Sequence, residues 1–443
     1  MPRGLKTVAV ICVAGLLASC GDGDGGTTAT TAAAGVEALP SSSCDPVKYE
    51  GEGEPDALIA SDLPMQGDSK ERSEQMVTAV ELVLEQNDWQ AGEHRVAFQA
   101  CDDSVPETGE WDKAKCEGNA RAYAENPDVV GVIGTYNSGC AEAMLPILNQ
   151  APGGGVPMVS PGNTLVCLTE QAETCQQGEP DSLYPTKTRN YARVVPNDAV
   201  QGAALATFAQ QEGIREAFIL SAADDPTSLG QASTFRGAAR QAGIKIAGDE
   251  TWDPEASDYA DLMRRVKRSR ADAVLLAGLL EQNGARLIED KVKGLGANDG
   301  DVRLLAPDGF AQQATIDDAG NASEGMFVSV PTKAPESLKG NGKEFVRDLE
   351  GEIGGNPVEP FAPYAGSAAE VMLMAIEQGR DRSGIVKALF EIEVRKGIVG
   401  SFRITRSGDP RSLPITLSVA AKTFKTEREI TPAADLIRAA RGD

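Results

Sequence analysis

From residue 55 onward, short runs of consecutive apolar residues alternate with longer stretches whose apolar residues recur every three or four positions. The first kind predicts buried strands and the second amphipathic helices. ALIAS (57–61), RVAFQA (95–100), DVVGVIG (128–134) and VPMVS (156–160) predict strands. Between them, 73–87 predicts a helix with Met76, Val80, Val83 and Leu84 on one face, and 111–126 and 138–150 predict two more. The pattern then starts again. Strands are predicted at 216–223, 244–248, 271–279, 303–307 and 325–331, and helices at 199–213, 228–243, 257–269 (with Ser257 as N-cap) and 283–296. Later, 364–379 predicts a helix with Ser367 and Glu370 spaced as a capping box and Gly379 at its stop. The segments 398–406 and 414–422 predict a β-pair, and 431–443 a weakly packed end. Continuous apolar strands joined by helices indicate parallel sheets covered on both faces. Two such series indicate an α/β protein of two doubly wound parallel-sheet lobes.

The charge narrows the partners. The net charge is -24, and such a body repels a phosphate backbone, so nucleic acid is not expected. The basic run at 264–270 suits the solvated C-terminal end of a helix. There is one histidine, His94, in a polar turn. That argues against a histidine-based metal site and leaves one candidate for any Ser-His pair. No GxSxG, HExxH or Walker motif is present, and the glycines of 294–300 follow a helix rather than a strand. No metal, no cofactor and no enzymatic activity are expected.

Arg3 and Lys6 precede an apolar stretch, Thr7 to Leu17, too short to span a bilayer. This reads as an export signal. The residues after Cys20 are small and polar, as in a flexible tether. Leu17-Ala18-Ser19-Cys20 resembles the lipobox of bacterial lipoproteins. The resemblance implies a signal peptide over 1–19, a lipidated Cys20, and a tether over 20–54 on the outer face of the cytoplasmic membrane. Beyond Cys12 and Cys20 six cysteines remain, an even number that suggests disulfides in an exported chain. Proximity favours Cys167–Cys175. Cys101–Cys116 is expected to tie a strand end to the next helix, which leaves Cys44–Cys140.

Ligands of open α/β sheets bind beyond the carboxyl ends of the strands. After the strand at 128–134 comes Tyr136, then Ser138 at a predicted helix N-cap, where a hydroxyl and free N–H groups suit a carboxylate. After 156–160 come Gly162 and Thr164. After 303–307 comes Asp308, a partner for an ammonium group. Asp198 opens the helix where one lobe hands over to the other. Each also fits a purely structural role as cap or turn residue.

Taken in order, VGVIGTYNSGCAEAMLPILNQ, VPMVSPGNT, RVVPNDAVQG, SDYADLMRRVKRSRADAVLLAG, LLAPDGF and FAPYAGSAAEVMLMAIEQG resemble the leucine/isoleucine/valine-binding proteins, type I periplasmic binding proteins that feed ABC importers. The resemblance covers roughly residues 55 to 425. It implies lobe 1 over 55–197 plus 331–402, lobe 2 over 198–330 plus 403–425, and a tail over 426–443. It further implies a three-strand hinge near Asn197, Val330 and Phe402, and a monomer that hands a small amino acid or amino-acid-like solute to permease subunits. Ser138 matches the family's carboxylate-binding serine, Gly162 and Thr164 its backbone and hydroxyl donors, and Asp308 its ammonium-binding acid, usually glutamate. Leu279 stands where an aromatic is common, and Leu229 where the family has tyrosine. A sensor of the same fold, or a receptor for a short amide, urea or aromatic acid, stands as the alternative.

Overall fold

In a computed structural model, the residues described are 35–223, 225–411 and 413–442. β1 (Ala57–Leu63), β2 (Gln90–Ala91), β3 (His94–Asp102), β4 (Val129–Gly134), β5 (Met158–Ser160) and β6 (Tyr191–Arg193) form one sheet, ordered β2-β3-β1-β4-β5-β6. Its neighbours run parallel except in the β2–β3 hairpin. α1 (Lys70–Gln86), α2 (Lys113–Glu125) and α3 (Ser138–Asn149) connect these strands. Every residue of β1 is buried, Ser61 and Asp62 included, as befits a central parallel strand covered on both faces.

The second set begins with α4 (Asp198–Gln211) and contains β7 (Glu216–Ala222), β8 (Lys245–Trp252), β9 (Ala273–Ala277), β10 (Arg303–Ala306) and β11 (Phe327–Val330). α5 (Pro226–Gln241), α6 (Ala260–Ser269), α7 (Gly284–Leu295) and α8 (Gln313–Ala319) lie between them. The chain then returns to the first lobe as α9 (Asn341–Glu352), α10 (Ala362–Gln378) and α11 (Arg382–Leu389). α10 packs on α1, β4 and β5. It comes close because Gly131 of β4 has no side chain: a Cβ there would overlap Met372. β12 (Glu393–Gly397), β13 (Gly400–Ile404) and β14 (Pro410–Arg411) make a small sheet. β15 (Ile415–Ala420) and β16 (Phe424–Ile430) extend the second large sheet, ordered β16-β15-β11-β10-β9-β7-β8. α12 (Ala434–Arg441) is the last helix. No helix among the described residues is long and apolar enough to cross a membrane.

Two parallel-sheet lobes are thus present, and several local expectations are corrected. Cys167–Cys175 forms as expected, but the other bridges are Cys44–Cys101 and Cys116–Cys140. Residues 44–48 run antiparallel to β3, which sets Cys44 beside Cys101. α2 packs on α3, which sets Cys116 beside Cys140. Closing a span of 57 residues with Cys44–Cys101 restricts the unfolded chain by roughly 4 kcal/mol. The same contacts mean that residues 36–50, expected inside the tether, lie against lobe 1, with Val36 and Leu39 buried. Cys20 and the signal peptide lie outside the described residues.

α6 begins at Ala260, and Asp258 rather than Ser257 takes its first free N–H, at 3.1 Å. α10 begins at Ala362 with Pro363 in its first turn, so Ser367 sits inside the helix. Glu370 instead accepts the N–H of Ile398 at 3.1 Å. The segments 398–406 and 414–422 do not pair with each other. β13 pairs with β12 and β14, while β15 lies between β11 and β16. The chain beyond Phe402 thus stays with the small sheet through Arg411 and is in the second large sheet from Ile415. The C-terminal end is also more firmly placed than expected. α12 packs on α4 and α5, Ala440 is buried, and Arg441 pairs with Glu170 at 2.6 Å.

Candidate functional site

The carboxyl ends of β4 and β5 in one sheet and of β7, β9 and β10 in the other border one cleft, whose space for an occupant is about 40 Å³. Tyr136, Ser138, Gly162, Thr164, Leu279 and Asp308 all line it. Asp198 does not. It sits behind Asp308 and lines a separate small hollow.

Ser138 is the first residue of α3, with Asn137 in the N-cap position expected for the serine. Its Oγ accepts the N–H groups of Thr164 and Leu165, both at 3.2 Å. With its lone pairs so used, the hydroxyl proton is left to donate, and an oxyanion is its natural acceptor. The N–H of Gly162, expected to face the crevice, is turned inward to Ser160 Oγ at 3.1 Å. Only glycine fits at 162, because a Cβ there would come within 2.7 Å of the Tyr136 ring. Asn163 pins the same turn by donating to the carbonyls of Thr135 and Tyr136, each at 2.9 Å. Tyr136 is held from behind. Phe361 meets it edge-on at 5.2 Å and the Arg72 guanidinium lies 4.0 Å over its face.

Arg193, fully buried in β6, fixes the loop from below. It donates to the carbonyls of Asn163 (3.0 Å) and Leu165 (2.8 Å) and pairs with Asp409 at 2.8 Å. Asp409 also accepts from Asn197 and Ser407. Two of the three passages between the lobes are thereby tied to the cleft loop. Burial works to raise the Asp409 carboxyl, but the Arg193 charge together with hydrogen bonds from Thr169, Arg193 and Ser407 outweighs it and holds the group below the usual carboxylate range.

On the facing side, Asp308 accepts from Gln201 Nε2 at 2.6 Å, and the same nitrogen lies 3.2 Å from Asp198. Burial pushes Asp308 up to about 6, against the lowering effect of Gln201 and Arg72. Burial, and then the neighbouring Asp308, push Asp198 up to about 7. Leu279 is positioned by its own N–H, which donates to Gln282 Oε1 at 2.8 Å.

Among the further lining residues, Trp111, Asp225, Thr227 and Gln231 lie outside the loops that the sequence singled out. Asp225 and Thr227 belong to DPTSLG, whose Leu229 stands 39% exposed instead of facing the cleft. Asp225 caps α5 by accepting from Ser228 N at 2.8 Å. Trp111 stands alone between β3 and α2, and no pattern in the sequence pointed to it. His94 opens β3 with its Nδ1 3.5 Å from Asp56, away from the cleft. Among the described residues, two groups have metal-ligand spacing, Asp103 with Cys116 and Cys140, and Glu179 with Cys167 and Cys175, but each has both sulfurs in a disulfide.

A family model described as periplasmic binding protein matches residues 59–412. No curated protein matches the sequence. Among solved structures, the leucine-binding protein LivK of Thermotoga maritima is 21% identical, with a TM-score of 0.71 over 85% of this chain and 99% of that one. LivJ of Streptococcus pneumoniae, in complex with isoleucine, is 15% identical (TM-score 0.69; 85% and 99% covered). A solute-binding protein of Rhodopseudomonas palustris in complex with p-hydroxybenzoic acid is 16% identical (TM-score 0.70; 86% and 98% covered). These likenesses carry the fold. The ligands named belong to those proteins.

Proposed function

This chain belongs to the periplasmic binding protein family, and on that premise we propose that it is an extracytoplasmic receptor that hands a small amino-acid-like solute to an ABC importer. One observation carries the reading: Ser138, Thr164 and Asp308 come from the strand ends of two separate sheets and border a single cleft. A solute whose carboxylate meets Ser138 and Thr164 and whose ammonium meets Asp308 touches both lobes at once. Such contacts exist only when the lobes are together, so ligand shifts the population towards closure. A permease then reads the closed form.

Calorimetric titration against L-amino acids, followed by solution scattering, tests this. Ser138→Ala should weaken a carboxylate ligand by about 1–3 kcal/mol. An unchanged affinity together with an unchanged scattering curve would remove the cleft from consideration.

We further propose that Cys20 carries the lipid that holds the receptor beside its permease. The support is the Leu17-Ala18-Ser19-Cys20 pattern behind a short apolar stretch. Fatty-acid labelling should disappear in Cys20→Ala, and label that persists there rules the anchor out.

A further inference from the structure

The cleft described above has an uneven charge, and the step taken here rests on its being the ligand site. Among the described residues, its lining contains Asp225 and Asp308 and no Lys, Arg or His. Two arginines behind the cleft loops are turned to other groups. Arg193 is paired with Asp409, and Arg72 lies over Tyr136 while donating to Ser69 Oγ at 2.8 Å. Outside the lining, Glu142 of α3 in one lobe lies near Asp225 at the start of α5 in the other. Burial first, and then Glu179 and Asp225, push Glu142 up to about 8. Arg72 and Lys113 offset these carboxyls only from outside the lining, so the cleft surface itself presents acidic groups alone.

Behind Asp308 a hollow lies between α4, α5 and β9, with Asp198, Gln201, Gln231 and Thr234 on its polar side and Leu205, Leu275 and Pro307 on its apolar side. Its space for an occupant is about 10 Å³, close to the minimum for one water. Three acceptors on its lining residues are buried and unpartnered among the described residues: Asp198 Oδ2, Gln201 Oε1 and Gln231 Oε1. The residues are 1%, 1% and 5% exposed. A water has two protons to offer three acceptors. An alkylammonium head is of similar size, brings three N–H donors, and carries the positive charge the carboxylates lack. The hollow shares Gln231 with the cleft and is screened from it by the hydrogen bond from Gln201 to Asp308.

We propose that the ligand is a net-cationic solute, a basic amino acid or a short aliphatic diamine, whose ammonium head displaces Gln201 from Asp308 and lodges against Asp198, Gln201 and Gln231. This separates the chain from a receptor for neutral aliphatic amino acids or for aromatic acids.

The test is titration of the full chain with L-lysine, putrescine, L-leucine and benzoate. Lysine or putrescine should bind at least tenfold more tightly than leucine and benzoate. Asp198→Asn should lower the preference for lysine over leucine at least tenfold. Gln231→Leu, which removes one acceptor without touching a charge, should lower the same ratio and serves if Asp198→Asn does not fold. Leucine or benzoate binding as tightly as either cation overturns the inference, as does a lysine-to-leucine ratio that neither variant moves. Lobe closure on leucine alone overturns it while leaving the proposed function standing. Silence with all four probes overturns both.

Discussion

Replacing Asp409 with alanine should destabilise the protein by about 3–5 kcal/mol, the usual effect of stranding one member of a buried ion pair. Arg193 is fully buried, and Asp409 is the only carboxylate paired with it among the described residues. Without that partner the guanidinium retains only neutral acceptors, the carbonyls of Asn163 and Leu165 and the Thr169 hydroxyl. Urea unfolding measures the stability. Ligand affinity should fall as well, because the turn carrying Thr164 hangs from the same guanidinium. The double variant Arg193→Leu/Asp409→Leu should be less unstable than Asp409→Ala, since two apolar residues leave no buried charge behind. A change below about 1 kcal/mol for Asp409→Ala would show that the pair is solvated and does not brace the cleft loop.

Asp308→Asn should move stability and binding in opposite directions. The Asp308 carboxyl titrates near 6 in the fold, against about 4 in an unfolded chain. A group whose folded pKa lies above its unfolded value holds its proton more tightly when folded. Its ionisation therefore weakens the fold progressively between about pH 4 and pH 6, and the full penalty persists above that window. Below pH 4 both states are protonated and the effect vanishes. Asparagine keeps an oxygen for Gln201 and removes the charge. The ligand-free variant should gain on the order of 2 kcal/mol at pH 8 and nothing at pH 4. Affinity for any ammonium-bearing ligand should drop at least tenfold, as expected when a charged hydrogen-bond acceptor is lost. Melting curves at the two pH values and one titration suffice. A variant that melts like the parent at pH 8 and binds like it would place Asp308 outside the site and in contact with water.

The cleft illustrates which features follow from local pattern. An apolar run such as DVVGVIG can only be buried, and a parallel strand must expose its following loop at the sheet's carboxyl end. That is enough to nominate Tyr136, Ser138, Gly162, Thr164 and Asp308. It cannot say which way a backbone N–H turns. Gly162 donates to Ser160 because Ser160 is itself anchored on the Thr135 carbonyl, a relation across two strands. Trp111 escaped because the sequence placed it in the first turn of the helix at 111–126, whereas Asp112 caps α2 and leaves Trp111 in the loop before it. Asp198 was grouped with the cleft because it opens a helix at a passage between lobes, yet the helix turns it into the hollow behind Asp308.

The cysteines show the same division. Spacing along the chain favoured Cys101–Cys116, but a disulfide depends on Cα separation in space, and residues 44–48 return along β3 to claim Cys101. The sequence by itself determined the two βα series, the strand ends that matter and the acidity of the whole chain, because burial and helix periodicity act within a few residues. Only the tertiary structure decided the disulfide partners, the place of the last strands and α12, and the meeting of Ser138 with Asp308. Each of these depends on segments distant in the chain, from 24 residues for Cys116–Cys140 upward, brought together by helix packing and by sheets whose order no local pattern encodes.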